Sequence, residues 1–205
     1  LGKYRLDRLV NSGGMGSLYQ ATNEQLGKVV AVKVLHPSLM LSGESSEIAS
    51  RFLREARLAA QLKHNNVVEV YDIDRFQDLF FIVMEFIVGE SVQQIIKKRI
   101  RIPLRESMYI AIEVMKGLKA AHEKEIIHRD IKPANIMINN KGIVKLTDFG
   151  LARGNEKTSF TNLGEVLGTP LYMSPEQLTE GIVDFRADIY ALGVSMYQMI
   201  CGELP

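Results

Sequence analysis

The chain has 205 residues, with 25 Lys+Arg against 24 Asp+Glu for a formal net charge of +1, and 46% hydrophobic and 24% charged residues. That balance excludes a disordered chain and a collagen-like repeat, and Cys201 as the single cysteine excludes a disulfide scaffold. The near-neutral charge gives no electrostatic basis for bulk binding to nucleic acid or an anionic membrane, and no apolar run nears the roughly 20 residues of a spanning helix.

The first third reads as strands. Residues Tyr4–Val10 alternate, Ser17–Thr22 follow a glycine-rich turn, and Val29–Leu35 form a β-branched run of the kind buried strands carry. Ser42–Ser46 break the pattern, and Ile48, Phe52, Glu55, Ala59 and Leu62 then recur at helical spacing. Asn65-Asn66 ends that helix, and two apolar strands are predicted over Val67–Ile73 and Leu79–Phe86. After Gly89 the chain turns mainly helical, over Ser91–Lys98, Leu104–Glu123 behind Pro103, and about Asp184–Ile200. Short strands are expected within 126–147, and 150–175 lack periodicity, as a long functional loop would. The pattern predicts an α+β chain with a small β-rich lobe, 1–86, hinged near 85–90 to a larger helical lobe, 87–205. The start, Leu1-Gly2-Lys3-Tyr4, carries no initiator Met and no leader, and both ends are expected to be cut from something longer. One cysteine fits a reducing compartment, so a cytoplasmic location is expected.

Four motifs carry chemistry. Asn11-Ser12-Gly13-Gly14-Met15-Gly16 lies between two strands, where glycines let backbone N–H groups approach phosphate oxygens. By itself the motif is as readily a hairpin turn. Lys33 stands in the apolar strand Ala31-Val32-Lys33, where an unpaired ammonium is costly. It is either an edge lysine reaching for solvent or a partner of Glu55. His128-Arg129-Asp130-Ile131-Lys132-Pro133-Ala134-Asn135 supplies a carboxylate able to orient a hydroxyl proton, an ammonium able to neutralise phosphoryl charge, and an amide oxygen suited to Mg²⁺. Asp148-Phe149-Gly150 adds a second hard oxygen ligand.

In this order and spacing, these motifs resemble the catalytic domain of eukaryotic-type (Hanks-type) serine/threonine protein kinases, from Tyr4 to Pro205. Gly168-Thr169-Pro170-Leu171-Tyr172-Met173-Ser174-Pro175-Glu176-Gln177 is most similar to the bacterial branch. The resemblance implies a two-lobed kinase fold and transfer of the γ-phosphoryl group of ATP to Ser or Thr of proteins. It implies Mg²⁺, or Mn²⁺ in its place, held by Asn135 and Asp148. Asp130, Lys132, Lys33 and Glu55 would be catalytic. Val10, Asn11, Gly13, Gly14, Gly16, Leu18, Ala31, Lys33, Met84, Glu85, Ile87, Glu90 and Met137 would surround ATP, with Met84 as gatekeeper. Asp188 would brace the catalytic loop near His128 and Arg129.

Further implications concern acceptors and regulation. Lys132 and Thr169 favour Ser/Thr over Tyr as acceptor, with Thr169 on the substrate platform. Arg129 would pair with a phosphate on the activation loop, where Thr158, Ser159 and Thr161 are candidates and Thr161 is favoured. Self-association would then serve autophosphorylation. The sequence departs from the family pattern at Asn11, where a first glycine is usual and positive φ is expected, at Leu163 and at Ser174. The family's domain also runs past Pro205, so Glu176 is expected to lack its Arg, and Met196, Tyr197, Met199 and Ile200 to lie exposed. A nucleotide-binding pseudokinase or scaffold is the alternative, disfavoured because Lys33, Asp130, Asn135 and Asp148 are all present. A small-molecule phosphotransferase is weakened by the 168–176 segment.

Overall fold

A computed structural model describes residues 1–13, 16–37, 45–149, 170–179 and 182–205, without the side chains of 45–49, 51 and 55. Two compact units divide the chain: 1–61 with 69–87, and 62–68 with 88–205.

The first unit is a five-stranded antiparallel sheet with one helix. Strands β1 (Tyr4–Gly13), β2 (Gly16–Asn23), β3 (Lys28–Leu35), β4 (Val70–Phe76) and β5 (Leu79–Glu85) run in the order β1-β2-β3-β5-β4. Alternation along β3 puts Val30, Val32 and Val34 on one face, in a core with Tyr4, Ala21, Phe81 and Val83. Ala31, Lys33 and Leu35 take the other face. Gly16 sits where β2 crowds β3, since a Cβ there would stand 2.3 Å from the Val34 carbonyl oxygen. Helix α1 (Ser45–Ala59) packs against β4, and its Phe52, Ala56 and Ala59 are buried.

The second unit is mostly helical. It contains α2 (Val92–Arg99), α3 (Leu104–His122), the single turn α4 (Pro175–Leu178) and α5 (Arg186–Cys201). A small sheet joins β6 (Gly89–Ser91), β7 (Ile136–Asn139) and β8 (Val144–Leu146). Ser91 caps α2 reciprocally: Gln94 donates its N–H to Ser91 Oγ at 3.2 Å, and Ser91 donates its N–H to Gln94 Oε1 at 2.8 Å.

Several expectations change. The helix expected to reach Asn65-Asn66 ends at Ala59. The strand expected from Val67 begins at Val70 instead. Val68 donates its N–H to Leu146 O and Leu146 donates to Asn66 O, each at 2.9 Å, so 66–68 pair with β8 rather than with β5. Gly117 on α3 admits that approach, because a Cβ there would meet Asn66 O at 2.9 Å. Asn11 is not at positive φ; it lies in β1 opposite Leu18, and the strand runs on to Gly13. Met199 is 0% exposed. On α5, Ala191, Leu192, Val194, Ser195, Gln198 and Met199 form one buried stripe, and α3 packs against that helix. Tyr197 on the opposite stripe is exposed, while Met196 and Ile200 are half-buried.

Candidate active site

The segment 128–135 is folded by its own polar groups. Lys132 Nζ lies 3.0 Å from Asp130 Oδ1 and 2.8 Å from Oδ2. Asn135, 6% exposed, donates Nδ2 to both Asp130 O and Asp130 Oδ2 at 2.8 Å. The Asp130 carboxylate is thus fixed by an ammonium and a carboxamide at once. Charge-assisted bonds of this kind contribute about 1.5–3 kcal/mol each. With both Nδ2 hydrogens directed at Asp130, Asn135 keeps Oδ1 for another donor or a cation. Thr147 donates N–H to Asn135 O at 3.0 Å, which joins the segment to the strand end just before Asp148.

Behind this segment lies Asp188, 0% exposed at the start of α5. Its Oδ2 accepts from His128 N–H at 2.9 Å and faces His122 Nε2 at 2.8 Å, and its Oδ1 accepts from Arg129 N–H at 2.7 Å. Arg129 has φ 66° and Asp148 φ 60°. A left-handed residue costs about 1–2 kcal/mol, less than the Asp188 bonds return. His128 Nε2 lies 2.9 Å from Thr147 O, and Asp130 donates its N–H to His128 Nδ1 at 3.3 Å. That pairing makes Nε2 the protonated nitrogen. The His128 ring also packs on Phe149, centroids 4.5 Å apart. The sequence offered Asp188 as a brace. His122 gave no signal of its own, because one histidine late in a helix reads as a surface residue.

The segment 170–178 is tied down locally. Tyr172, in a 3-10 turn at Pro170–Tyr172, donates its hydroxyl to Gln198 Oε1 at 2.5 Å, and burial pushes that hydroxyl's pKa up. Ser174 and Gln177 cap α4, and Gln177 Nε2 donates to Arg129 O at 3.1 Å. In the sequence, the only signal for Gln177 is the capping-box spacing of Ser174-x-x-Gln177.

In the first unit, Leu18, Lys33, Ile82 and Ile73 oppose one another across β2, β3, β5 and β4, and Ala31, Met84 and Val70 form the adjoining row. Lys33 is half-buried in that apolar row; Ala31 and Met84 are buried. Val10 and Asn11 are exposed on β1, with Asn11 Oδ1 accepting from Ser12 N–H at 3.0 Å, and Gly13 pairs with Gly16. Glu85 ends β5, and Ile87 is half-buried two residues on. In the second unit, Glu90 forms an ion pair with Lys98, and Met137 on β7 stands between Ser91 and Lys145. Gly14, Gly150, Thr158, Ser159, Thr161, Leu163 and Thr169 lie outside the described residues, as does the Glu55 side chain.

Residues 4–205 match the protein kinase domain family. The chain belongs to that family. Among kinase relatives, it is 36% identical over 204 residues to serine/threonine-protein kinase PrkC of Bacillus subtilis, an alignment covering 100% of this chain and 31% of the relative. It is 36% identical over 204 residues to the probable serine/threonine-protein kinase pknA2 of Bifidobacterium longum, covering 100% of the chain and 27% of the relative. Against serine/threonine-protein kinase pkn3 of Myxococcus xanthus the identity is 41% over 214 residues, covering 99% and 38%. This kinase domain therefore spans about a third of the length of those relatives. Its sheet-rich and helical units are the small and large lobes of the two-lobed kinase fold.

Proposed function

We propose that the protein transfers the γ-phosphoryl group of ATP to Ser and Thr hydroxyls of proteins. The observation that carries this reading is the Asp130 carboxylate held between Lys132 Nζ and Asn135 Nδ2. A carboxylate so fixed can accept the proton of an acceptor hydroxyl as its oxygen attacks the γ-phosphorus. The bond from the γ-phosphorus to the β–γ bridging oxygen breaks, the new bond forms to the Ser or Thr oxygen, and Lys132 balances charge on the moving phosphoryl group. Lys33, braced by Glu55, orients the α- and β-phosphates. Gly13, Gly14 and Gly16 offer backbone N–H groups to the triphosphate, with Val10 and Asn11 flanking. Leu18, Ala31, Met84 and Met137 contact the adenine, the Glu85–Ile87 backbone meets its edge, and Glu90 reaches the ribose by giving up Lys98.

The donor set fits a hard divalent cation. Asn135 has Oδ1 to spare and Asp148 adds a carboxylate, so these two residues would hold Mg²⁺, or Mn²⁺ in its place. When bound, the cation supplies charge neutralisation across the phosphates. In this reading Thr169 contacts the acceptor hydroxyl and Thr161 takes the activating phosphate, which pairs with Arg129. Self-association supports that autophosphorylation, and the reaction is cytoplasmic. The relatives' names, all serine/threonine-protein kinases of bacteria, support the acceptor class.

Intact mass after incubation with Mg–ATP tests the proposal. The parent is expected to gain phosphoryl groups that map to Thr161, and Asp130→Asn to gain none. Equal gain in both would assign the phosphate to another source.

A further inference from the structure

Gln177 has no part in the chemistry above, yet both ends of its carboxamide are hydrogen-bonded. Helix α4 is one turn long, too short to persist on intrinsic propensity. Its geometry comes from Ser174, which is 0% exposed. Ser174 donates its N–H to Gln177 Oε1 at 3.1 Å and its hydroxyl to the same oxygen at 3.2 Å, and Gln177 returns its N–H to Ser174 O at 3.0 Å. Two donors on one oxygen fix which end of the amide is oxygen. The other end, Nε2, donates to Arg129 O at 3.1 Å.

Arg129 is thereby gripped on both sides. Its N–H goes to Asp188 and its carbonyl to Gln177, and between them the residue keeps φ 66°. The next residue is Asp130. We propose that Gln177 is a positioning residue for phosphotransfer, its carboxamide locking the acceptor-side segment Pro170–Leu178 to the catalytic loop through Arg129 O. Asp130 and the segment that presents the acceptor then keep one geometry. The inference rests on the kinase reading.

Gln177→Glu separates the two ends of the amide. A carboxylate still accepts from Ser174 and keeps the cap, but it cannot donate to Arg129 O. Once protonated it donates again. The ionisable groups around it are those of the loop it touches (His128, Arg129, Asp130, Lys132), His122 and Asp188 behind that loop, and Glu176 beside it. All are common to parent and variant, so the ratio of their activities isolates residue 177.

Steady-state kinetics on a protein substrate would compare the full-length parent with Gln177→Glu and Gln177→Met, from about pH 8 down to about pH 5. At the upper end Gln177→Glu is expected to lose about tenfold in kcat, with KM for ATP within about twofold and a melting temperature lowered by only about 2–4 °C, as one lost hydrogen bond implies. Its activity relative to the parent should climb as pH falls toward the carboxyl value, whereas Gln177→Met stays low throughout. Parental kcat in Gln177→Glu, or a deficit flat with pH, would overturn the inference. A parent that fails to phosphorylate would overturn the kinase reading and this inference with it.

Discussion

Ile100 closes α2 at φ 70° and ψ −45°, and its N–H donates to Ile96 O at 2.7 Å. The angle is one that a β-branched side chain resists and glycine accepts. The side chain is 76% exposed, so it offsets little of the strain by burial. The strain persists because the loop is pinned on both sides. Ile102 donates its N–H to Met199 O at 2.6 Å, and Gly202 comes so close that a Cβ there would lie 2.4 Å from Ile100 O. Replacing Ile100 with Gly is therefore expected to stabilise the protein by about 1 kcal/mol, less the glycine entropy cost. A thermal melt should show a rise of up to about 2–4 °C, and a fall would mean that the conformation carries no strain.

The two edge strands of the five-stranded sheet meet through side chains. Tyr4, where β1 begins, donates its hydroxyl to Asp72 Oδ2 on β4 at 2.9 Å, and Lys3 Nζ lies 3.1 Å from the same oxygen. Burial works to raise the Asp72 pKa, but hydrogen bonds from Lys3 and Tyr4 outweigh it and hold the carboxyl below its ordinary value. The hydrogen bond to Asp72 raises Lys3, and burial together with the same bond raises Tyr4. A depressed carboxyl stabilises the fold above the unfolded value of about 3.9. That contribution fades as pH drops through the folded value. The raised Lys3 and Tyr4 contribute fully below about 10 and fade as pH climbs through their folded values. Melting temperatures of the parent and Asp72→Asn should differ most between about pH 5 and pH 9 and converge at both extremes. A gap independent of pH would remove ionisation from the account. This closure left no trace in the sequence, because Tyr4 and Asp72 read as ordinary positions of two predicted strands far apart in the chain. The β-branched run of β3 and the helical spacing of α1 were legible, since burial imposes a pattern on the residues, and α3 was legible from Pro103 at its start. The pairing of 66–68 with β8 was not, because a single bridge between Val67 and Leu146 has no period. At the site, residue types named the 128–135 segment. The grip of His122 on Asp188 and of Gln177 on Arg129 depends on elements brought together by folding alone.

The chain passes between its two units three times, at 61/62, 68/69 and 87/88. The first unit is thus assembled from two separate stretches, and β5 lies between β3 and β4 although it follows both in sequence. A chain ended at residue 68 would keep β1–β3 and α1 but lose both remaining strands, and with them Phe81 and Val83 from the core. It is expected to show no cooperative melting transition, whereas the parent shows one by circular dichroism; a sharp transition in the short chain would make the β1–β3 meander a folding unit in its own right. The same strand order bears on synthesis at the ribosome. Until residues 79–85 have emerged, the open side of β3, Val29 to Leu35, faces the cell as a nearly uninterrupted apolar template, and β4 has nothing to pair with. Each nascent chain therefore passes through an interval in which a neighbour's β3 can substitute for its own β5, and slow translation across that stretch lengthens its exposure to aggregation and chaperone capture.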